Sequence, residues 1–240
     1  MMRAGSIALG ITTWVALLII APPASAQVRF RRPFASESAR ITAHFDTNGG
    51  AAGVADYTCG GRSYDGHTGT DFGLVTGTPV LAAASGRVVQ VITGCPDTGY
   101  LCSPCGGLCG NQVRIEHADG SRTLYCHMQS GGMTVSVGSV VTCGQPIGRS
   151  ASSGCSTGPH LHFGYHASAT SAADDPFRGA CGGPVSVWTD QRAYPGTPGA
   201  ACACTPSAES CNGRDDDCDG RTDEGVTRAC SSACGAGTQA

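Results

Sequence analysis

Two histidines separated by one residue constrain this sequence more than any other feature. His160 and His162 lie in the apolar run Gly-Pro-His-Leu-His-Phe, which is typical of a β-strand. Side chains two positions apart on a strand point to the same face, so both imidazoles should lie side by side in one cleft. Burying two imidazoles costs free energy unless each has a partner, and a metal ion is a common partner for such a pair.

The apolar pattern predicts a mainly β fold. The chain has 36 glycines in 240 residues, and no segment before residue 190 shows the period of an amphipathic helix. Many strands at short spacing favour a compact antiparallel sheet or sandwich, followed by a small Cys-rich tail with little regular structure. Ala-Asp-Gly at 118–120 separates two alternating runs and predicts a hairpin. Strands are predicted at residues 40–45, 78–82, 86–92, 112–117, 121–127, 134–137, 146–149 and 160–165.

The first 26 residues have the features of a secretory signal. Arg3 gives a positive start, an apolar run spans residues 7–20, and Ala-Ser-Ala before Gln27 is a small-residue cleavage site. The apolar run is too short for a comfortable transmembrane helix, so we expect no membrane span after the signal is removed. The sequence therefore predicts a secreted protein of the periplasm, the cell surface or the medium.

The cysteines predict disulfides, because all 15 follow residue 26 in a chain that should be exported. Four of them fall in a Gly/Pro-rich loop at residues 93–110. Cys102-x-x-Cys105 in this loop resembles half of a zinc ribbon, but no second pair follows at ribbon spacing. A loop held by disulfides is the favoured interpretation, and the connectivity stays open. The odd total leaves at least one thiol unpaired or paired with another molecule.

The charges exclude several functions. All basic residues are arginine, which excludes Schiff-base and Ser-Lys chemistry. Residues 27–204 carry 11 arginines and 11 acidic residues, whereas the tail beyond carries 3 arginines and 7 acidic residues. The neutral main domain gives no nucleic-acid footprint. A small basic cluster is interpreted as the solvated start of the mature chain: Arg29, Arg31 and Arg32.

A third histidine and an aspartate complete a candidate metal site. In His67-Thr-Gly-Thr-Asp71, Gly69 and two threonines argue against a helix, but a turn into a strand would also bring both side chains together. With His162 they provide two imidazoles and one carboxylate. Three such ligands with one position open for water describe catalytic zinc. A single carboxylate leaves the site positive, which lowers the pKa of bound water toward about 7.

His127 and His160 are the candidates for proton transfer. Residues 121–127 alternate, so Tyr125 and His127 should share one face of a strand while Cys126 points away. This geometry would prevent Cys126 and His127 from forming a nucleophile–base pair. We assign His127 and His160 to proton transfer and to stabilising the oxyanion of a tetrahedral intermediate.

Other polar residues receive structural interpretations. Asp46 and Asp56 either line a groove or cap turns, and the second role is commoner. Tyr125 and Tyr165 either help the reaction or pack beside the metal. The G-x-S-x-G pattern at 154–158 lacks the strand-to-helix context of a nucleophile elbow and favours a tight turn. The remaining histidines are expected at the surface or at strand ends: His44, His117 and His166.

Several blocks, taken together and in this order, resemble the M23 zinc metallopeptidases, the lysostaphin/LytM-like and β-lytic endopeptidases. The resemblance runs from about residue 41 to residue 165. The blocks are Gly-His-Thr-Gly-Thr-Asp-Phe-Gly at 66–73, Gly-Thr-Pro-Val-Leu-Ala at 77–82, Asn-Gln-Val-Arg-Ile-Glu-His at 111–117, Thr-Leu-Tyr-Cys-His-Met at 123–128, the run 137–148, and Ser-Gly-Cys-Ser-Thr-Gly-Pro-His-Leu-His-Phe at 153–163.

This resemblance implies an antiparallel β structure with an open groove. His67, Asp71 and His162 would bind zinc, and His127 and His160 would be catalytic. All five positions are filled, which argues against an inactive member. The resemblance further implies a secreted zinc metalloendopeptidase that hydrolyses peptide cross-links of bacterial peptidoglycan, by contact with its peptide stems and cross-bridges. We expect the protein to be a monomer.

Two departures from the family pattern leave the cleavage specificity open. The family's usual Tyr-x-His-Leu pattern ends here in Met128 instead of leucine, and the loop at 93–110 is longer than the usual connection. Two alternative functions also stay open. One is a non-catalytic cell-wall-binding module, against which the intact site argues. The other is a secreted protease that acts on glycine-rich proteins.

The sequence predicts five segments along the chain. They are a signal peptide at 1–26, a basic N-terminal segment at 27–40, an M23-like peptidase domain at 41–190, a Pro/Gly linker at 191–210 and an acidic Cys-rich motif at 211–240. The last resembles the front half of a calcium loop but lacks the glutamate of an EF-hand at position 226. Calcium is favoured over a solvated acidic linker, with candidate ligands Asp215, Asp217, Asp219, Arg221 (through its carbonyl) and Asp223.

Overall fold

A computed structural model describes residues 27–50, 52–97 and 101–203 of the chain. The predicted signal segment at 1–26 lies outside these residues, as does the calcium motif with Asp215, Asp217, Asp219, Arg221 and Asp223. The described chain contains strands and turns but no helix. It therefore offers no helix with the length and apolar content needed to cross a membrane.

The strands confirm the predicted mainly β, antiparallel class. Seven of them form one sheet in the order β1-β2-β9-β6-β5-β4-β7, and β3 pairs with β8 in a second, two-stranded sheet. The hairpin predicted at 118–120 joins β5 to β6. In the part of the chain that the structure describes, the strands are β1 Ile41–Ala43, β2 Thr70–Phe72, β3 Pro79–Leu81, β4 Gly86–Ile92, β5 Asn111–Glu116, β6 Arg122–Met128, β7 Val140–Val141, β8 Pro146–Arg149 and β9 Leu161–His166.

The hydrophobic core covers one face of the large sheet. Tyr125 of β6 and Phe163 of β9 are directly paired on this face, and both are fully buried. Segments near the two ends of the described chain pack on this core face of the sheet. The ring of Trp188 lies 5.2 Å from that of Phe163, and Phe34 lies 5.0 Å from Phe72. Because strand side chains alternate, the opposite face is left for His162 and its neighbours.

The segment before β1 is part of this packing, which corrects one sequence interpretation. Arg32 was expected in a solvated cluster, but it is only 1% exposed. Its guanidinium donates to the carbonyls of Phe34 and Ala35 and pairs with Glu37. A buried guanidinium is tolerated because these acceptors satisfy its N–H groups.

One predicted strand does not form, because the hydrogen-bond partners change along its residues. Residues 134–137 were predicted as a strand, but Thr134 donates its N–H to Ile147 while Gly138 donates to Val88, so no continuous ladder forms. The pairing with β4 comes instead from β7, Val140–Val141. A strand after the turn at His67 was expected without bounds, and the structure gives it as β2, Thr70–Phe72.

Five disulfides hold the described chain together, and they confirm a disulfide-held loop at 93–110. Cys95–Cys105 closes within the loop, Cys109–Cys126 ties it to β6, and Cys102–Cys155 ties it to the turn before β9. Cys102 and Cys105 thus have different partners, which excludes the half zinc ribbon. The other two bridges are Cys59–Cys181 and Cys143–Cys202.

One buried carboxyl makes the stability of the fold depend on pH. Asp175 is 6% exposed; one of its oxygens, Oδ1, accepts the N–H of Phe177, while Oδ2 has no partner in the described structure. Burial, together with the negative charges of Asp174 and Asp56, raises the pKa of Asp175 to about 7 despite that hydrogen bond. The folded protein therefore holds this proton at pH values where the unfolded chain has lost it.

We expect Asp175→Asn to stabilise the protein at alkaline pH. Asparagine keeps the Oδ1 acceptor but cannot ionise. The wild-type protein loses stability as pH rises from the unfolded pKa of about 4 to the folded pKa, so the variant should exceed it by about 1–4 kcal/mol at about pH 8 and match it near pH 4. Urea unfolding at both pH values measures the difference. Asp97→Asn, at an exposed position, is the control, and equal pH dependence of both variants would contradict the assignment.

Candidate metal centre

Three side chains converge on the open face of the large sheet. Asp71 in β2 and His162 in β9 are directly paired across the two strands, and His67 lies in the turn that leads into β2. Asp71 Oδ1 is 3.0 Å from His162 Nδ1 and 3.1 Å from His67 Nε2, and the two nitrogens are 3.1 Å apart. The residues selected as ligands from the sequence thus lie within reach of one common ion.

The protonation of these groups fits a cation. His67 donates its Nδ1–H to the carbonyl of His44 at 2.6 Å, so its Nε2 lone pair faces the cluster. Burial opposes ionisation of Asp71, but hydrogen bonds and positive charge from the protonated forms of His162 and His67 outweigh it and hold the pKa of Asp71 well below its ordinary value. A cation in place of those protons favours the carboxylate in the same way. A carboxylate oxygen and an imidazole lone pair at this separation repel each other unless a proton or a cation lies between them. Two nitrogens and one oxygen are a donor set that suits zinc.

Gly69 makes room for one of these imidazoles. A Cβ at this position would lie 2.6 Å from Nε2 and Cε1 of His162 and 2.6 Å from the carbonyl oxygen of Phe163. The turn between His67 and Asp71 therefore passes so close to β9 that only glycine fits. In the sequence alone, Gly69 argues only against a helix.

Two further imidazoles border the cluster. His127 donates its Nδ1–H to the carbonyl of Ser153 at 2.7 Å, and His160 donates its Nδ1–H to the carbonyl of Gly158 at 2.8 Å. Their rings are 4.6 Å apart, and His160 Nε2 lies 3.7 Å from Asp71 Oδ1. Each ring in its neutral form therefore keeps an Nε2 lone pair for chemistry at the centre.

A β-bulge in β6 corrects the predicted orientation of His127. The register between β5 and β6 shifts next to His127, whose φ is 58°. Tyr125 faces the core opposite Phe163, whereas Cys126 lies opposite His162 on the open face. The prediction that Tyr125 and His127 share a face is therefore wrong, because the extra residue of a bulge breaks the alternation. Cys126 and His127 line the same groove.

His127 is a neutral imidazole at pH 7, and Cys126 is not available as a nucleophile. Burial and the nearby charge of His160 lower the pKa of His127 to about 4. Its backbone N–H donates to the carbonyl of Cys109 at 2.8 Å. Cys126 is bonded to Cys109, so this disulfide, rather than opposite orientation, excludes Cys126 as the nucleophile of a thiol protease.

Sequence analysis missed Tyr64 as a neighbour of the cluster. Its ring stacks on His67 at 4.2 Å, and its hydroxyl donates to Asp71 Oδ2 at 3.4 Å. Its position three residues before His67 is the only sequence signal. The tyrosines considered instead face the core: the Tyr125 hydroxyl accepts the N–H of Ala83, and Tyr165 packs on Phe30.

The other polar candidates have structural roles. Asp46 accepts the N–H groups of Ala55 and Gly66, and Asp56 accepts three N–H groups of its own turn, so both cap turns. Ser156 donates to the carbonyl of Gly158 within a turn, which agrees with the tight-turn interpretation.

The three remaining histidines lie at strand ends as expected, but two of them are not at the surface. His44 and His117 directly follow β1 and β5 and are buried, and His166 is the last residue of β9. The His44 ring packs 5.0 Å from the rings of both Tyr57 and Phe177. This packing fixes the backbone whose carbonyl orients His67.

A groove of about 390 Å³ opens onto the centre. Its lining includes His67, His127 and His162, together with Tyr64, Thr68, Gly107, Leu108, Cys109 and Leu124. Residues 65–175, which include this whole histidine and aspartate set, match the model of peptidase family M23. The chain contains a peptidase M23 domain. The family predicted from the sequence is thereby confirmed.

Known relatives resemble the domain rather than the whole chain. Lysostaphin of Staphylococcus staphylolyticus is 41% identical over 113 residues, which are 46% of this chain and 21% of that protein. The peptidoglycan DD-endopeptidase ShyA of Vibrio cholerae is 37% identical over 97 residues, 40% of this chain and 19% of that protein. The crystallized catalytic domain of the antimicrobial peptidase lysostaphin from Staphylococcus simulans has 39% identity, covers 46% of this chain and 75% of that chain, and has a TM-score of 0.38. The chain thus spans about a fifth of the length of these two curated relatives.

We expect Gly69→Ala to weaken zinc binding by about 10–100-fold, because its Cβ would push the His162 ring away from Asp71. Competition with a chromogenic chelator measures the affinity. Gly61→Ala is the matched control, since a Cβ there has Val54 Cγ2 as its nearest neighbour at 3.9 Å. Equal zinc affinity of the Gly69 variant and the control would show that the close approach is unimportant.

Proposed function

We propose that this protein is an exported zinc metalloendopeptidase that hydrolyses peptide cross-links of bacterial peptidoglycan. The observation that carries the proposal is the cluster of Asp71, His67 and His162 beside two imidazoles with available Nε2 atoms, within an M23 domain. The relative named as a peptidoglycan DD-endopeptidase supports the choice of substrate. The five disulfides of the described chain support an oxidising, extracytoplasmic compartment.

His67, Asp71 and His162 would hold the zinc. When bound, zinc supplies positive charge that lowers the pKa of water and polarises a carbonyl group. The chain holds its ligands ready for this, because the His44 carbonyl fixes the tautomer of His67 and sheet pairing fixes Asp71 against His162. Tyr64 holds the second carboxylate oxygen of Asp71.

His127 and His160 handle protons and charge in this scheme. The low pKa of His127 keeps its imidazole neutral at pH 7, so its Nε2 accepts a proton or a hydrogen bond. A protonated Nε2 then donates to the oxyanion of the tetrahedral intermediate or to the leaving amine. The carbonyls of Ser153 and Gly158 hold both rings in the orientation that this role requires.

Three parts of the sequence prediction go beyond the catalytic domain and stay predictions. They are cleavage of a signal peptide at 1–26, calcium binding by the motif at 211–240, and a monomeric state. Removal of calcium is not expected to affect the peptidase chemistry described above, because the proposed zinc site uses none of the residues of that motif.

Substitution of the proposed zinc ligands and substitution of His127 should have different effects on zinc content. We expect His67→Ala and His162→Ala to lose both zinc and activity, because each removes one of three ligands. His127→Ala should retain zinc while kcat falls by about 10²–10⁴-fold, because only proton transfer is removed. Zinc content by mass spectrometry and release of peptides from purified cell walls separate the two effects. Equal zinc loss in all three variants would contradict this division of roles.

The proposal is separated from its alternatives by a substrate comparison. Purified peptidoglycan and a glycine-rich protein are digested side by side, with His166→Ala as the control histidine variant at the end of β9. We expect peptidoglycan to be cut, a zinc chelator to stop the reaction and added zinc to restore it. Binding to cell walls without release of peptides would indicate the non-catalytic cell-wall-binding module. Cleavage of the glycine-rich protein but not of peptidoglycan would indicate the secreted protease that acts on glycine-rich proteins.

A further inference from the structure

The cysteine loop, here residues 101–110, forms one wall of the groove. Two disulfides bond this loop to other parts of the chain: Cys102 to Cys155 in the turn before β9, and Cys109 to Cys126 in β6. The loop also packs closely against residues 153–155. A Cβ on Gly110 would lie 2.4 Å from the backbone carbon of Ser153. These covalent and backbone contacts make the wall rigid, so its side chains are presented to the groove in fixed positions.

Leu108 is placed on this wall in an unfavourable conformation. Its φ is 77°, a left-handed value that costs a leucine about 1–3 kcal/mol, whereas glycine or asparagine adopts it more easily. Its carbonyl accepts the N–H of Cys155 at 2.7 Å, which holds the backbone in place. Its side chain is nevertheless 53% exposed and lines the groove with His127 and His162. An exposed leucine in a strained position contributes little to the stability of the fold. Contact with a bound substrate would give this side chain a function that stability does not.

Leu108 shares the groove lining with one other leucine and with disulfide-bonded cysteines. Leu124 and Cys126 lie on the same face of β6, and Cys126 is bridged to Cys109, the residue after Leu108. Both leucines line the groove together with His127, and the Cys109–Cys126 disulfide joins the two chain segments that carry them. Among the described residues that line the groove there is no arginine, aspartate or glutamate. This side of the groove thus offers burial to a small apolar group and no partner to a charged one.

We propose that Leu108 is a specificity-determining residue that forms, with Leu124, an apolar subsite for a methyl-bearing residue next to the scissile bond. This subsite favours alanine over glycine at that position, because the methyl group is buried against the two leucines. The inference rests on the proposed peptidase function and concerns the substrate class of the same site. An open groove buries a methyl group only in part, so a preference of about 5-fold is expected, below the range of a closed pocket.

The test compares kcat/KM for matched synthetic cross-link peptides. Each pair differs only by alanine or glycine beside the scissile bond, on either side, with both enantiomers of alanine. The alanine-to-glycine ratio is measured for the wild-type protein, Leu108→Gly and Leu108→Ala. We expect a ratio of about 5 in the wild type for at least one pair and about 1 in both variants. Leu108→Gly should also unfold at the same or a higher temperature, because glycine relieves the unfavourable φ.

Val137→Ala is the matched control, because Val137 is a 62% exposed apolar residue that does not line the groove. Its ratio should equal that of the wild type. If both Leu108 variants remain active and keep the wild-type ratio, or if the wild type shows no preference in any pair, the inference is overturned while the peptidase function stands. If the wild-type protein with bound zinc cleaves none of the peptides or cell walls, the proposed function fails and the inference fails with it.

Discussion

The antiparallel pairing of β2 with β9 is the interaction on which the rest of this site depends. It places Asp71 and His162 directly opposite each other, on the face of the sheet that the core does not cover. The two strands also bring the turn at Gly69 against the His162 ring, so that His67 reaches the same carboxylate oxygen. Sheet register therefore sets the distance between Asp71 and His162, and the close packing of the turn at Gly69 sets the position of His67.

Backbone carbonyls then determine how the histidines present their nitrogens. His67, His127 and His160 each donate Nδ1–H to a carbonyl, those of His44, Ser153 and Gly158. A carbonyl only accepts, so each ring is left with Nε2 directed toward the centre. These acceptors lie on turns and strand ends that are held by the core and by disulfides. The orientation of the three imidazoles thus depends on the backbone positions of these carbonyl groups as well as on the histidines themselves.

The cysteine loop combines stability with the shape of the groove. Its bridge to Cys126 anchors it beside the bulge at His127, and the Cys109 carbonyl accepts the N–H of His127. The same loop carries Leu108 into the groove. A glycine-rich segment is therefore fixed against β6. The disulfides support both the wall of the groove and the orientation of His127.

The sequence by itself determined the β class, most strand positions, the family and the five polar residues brought together at the centre, because these depend on local alternation and on motifs of adjacent residues. It misjudged Arg32, residues 134–137 and the face of His127. Only the tertiary structure decided the disulfide pairing, the stacking of Tyr64 on His67 and the place of Leu108 in the groove. The disulfides and the contacts of Leu108 join residues that are distant in sequence. The face of His127 depends on a single bulge, because one extra residue in a strand reverses the face of the next side chain without changing the alternating sequence before it.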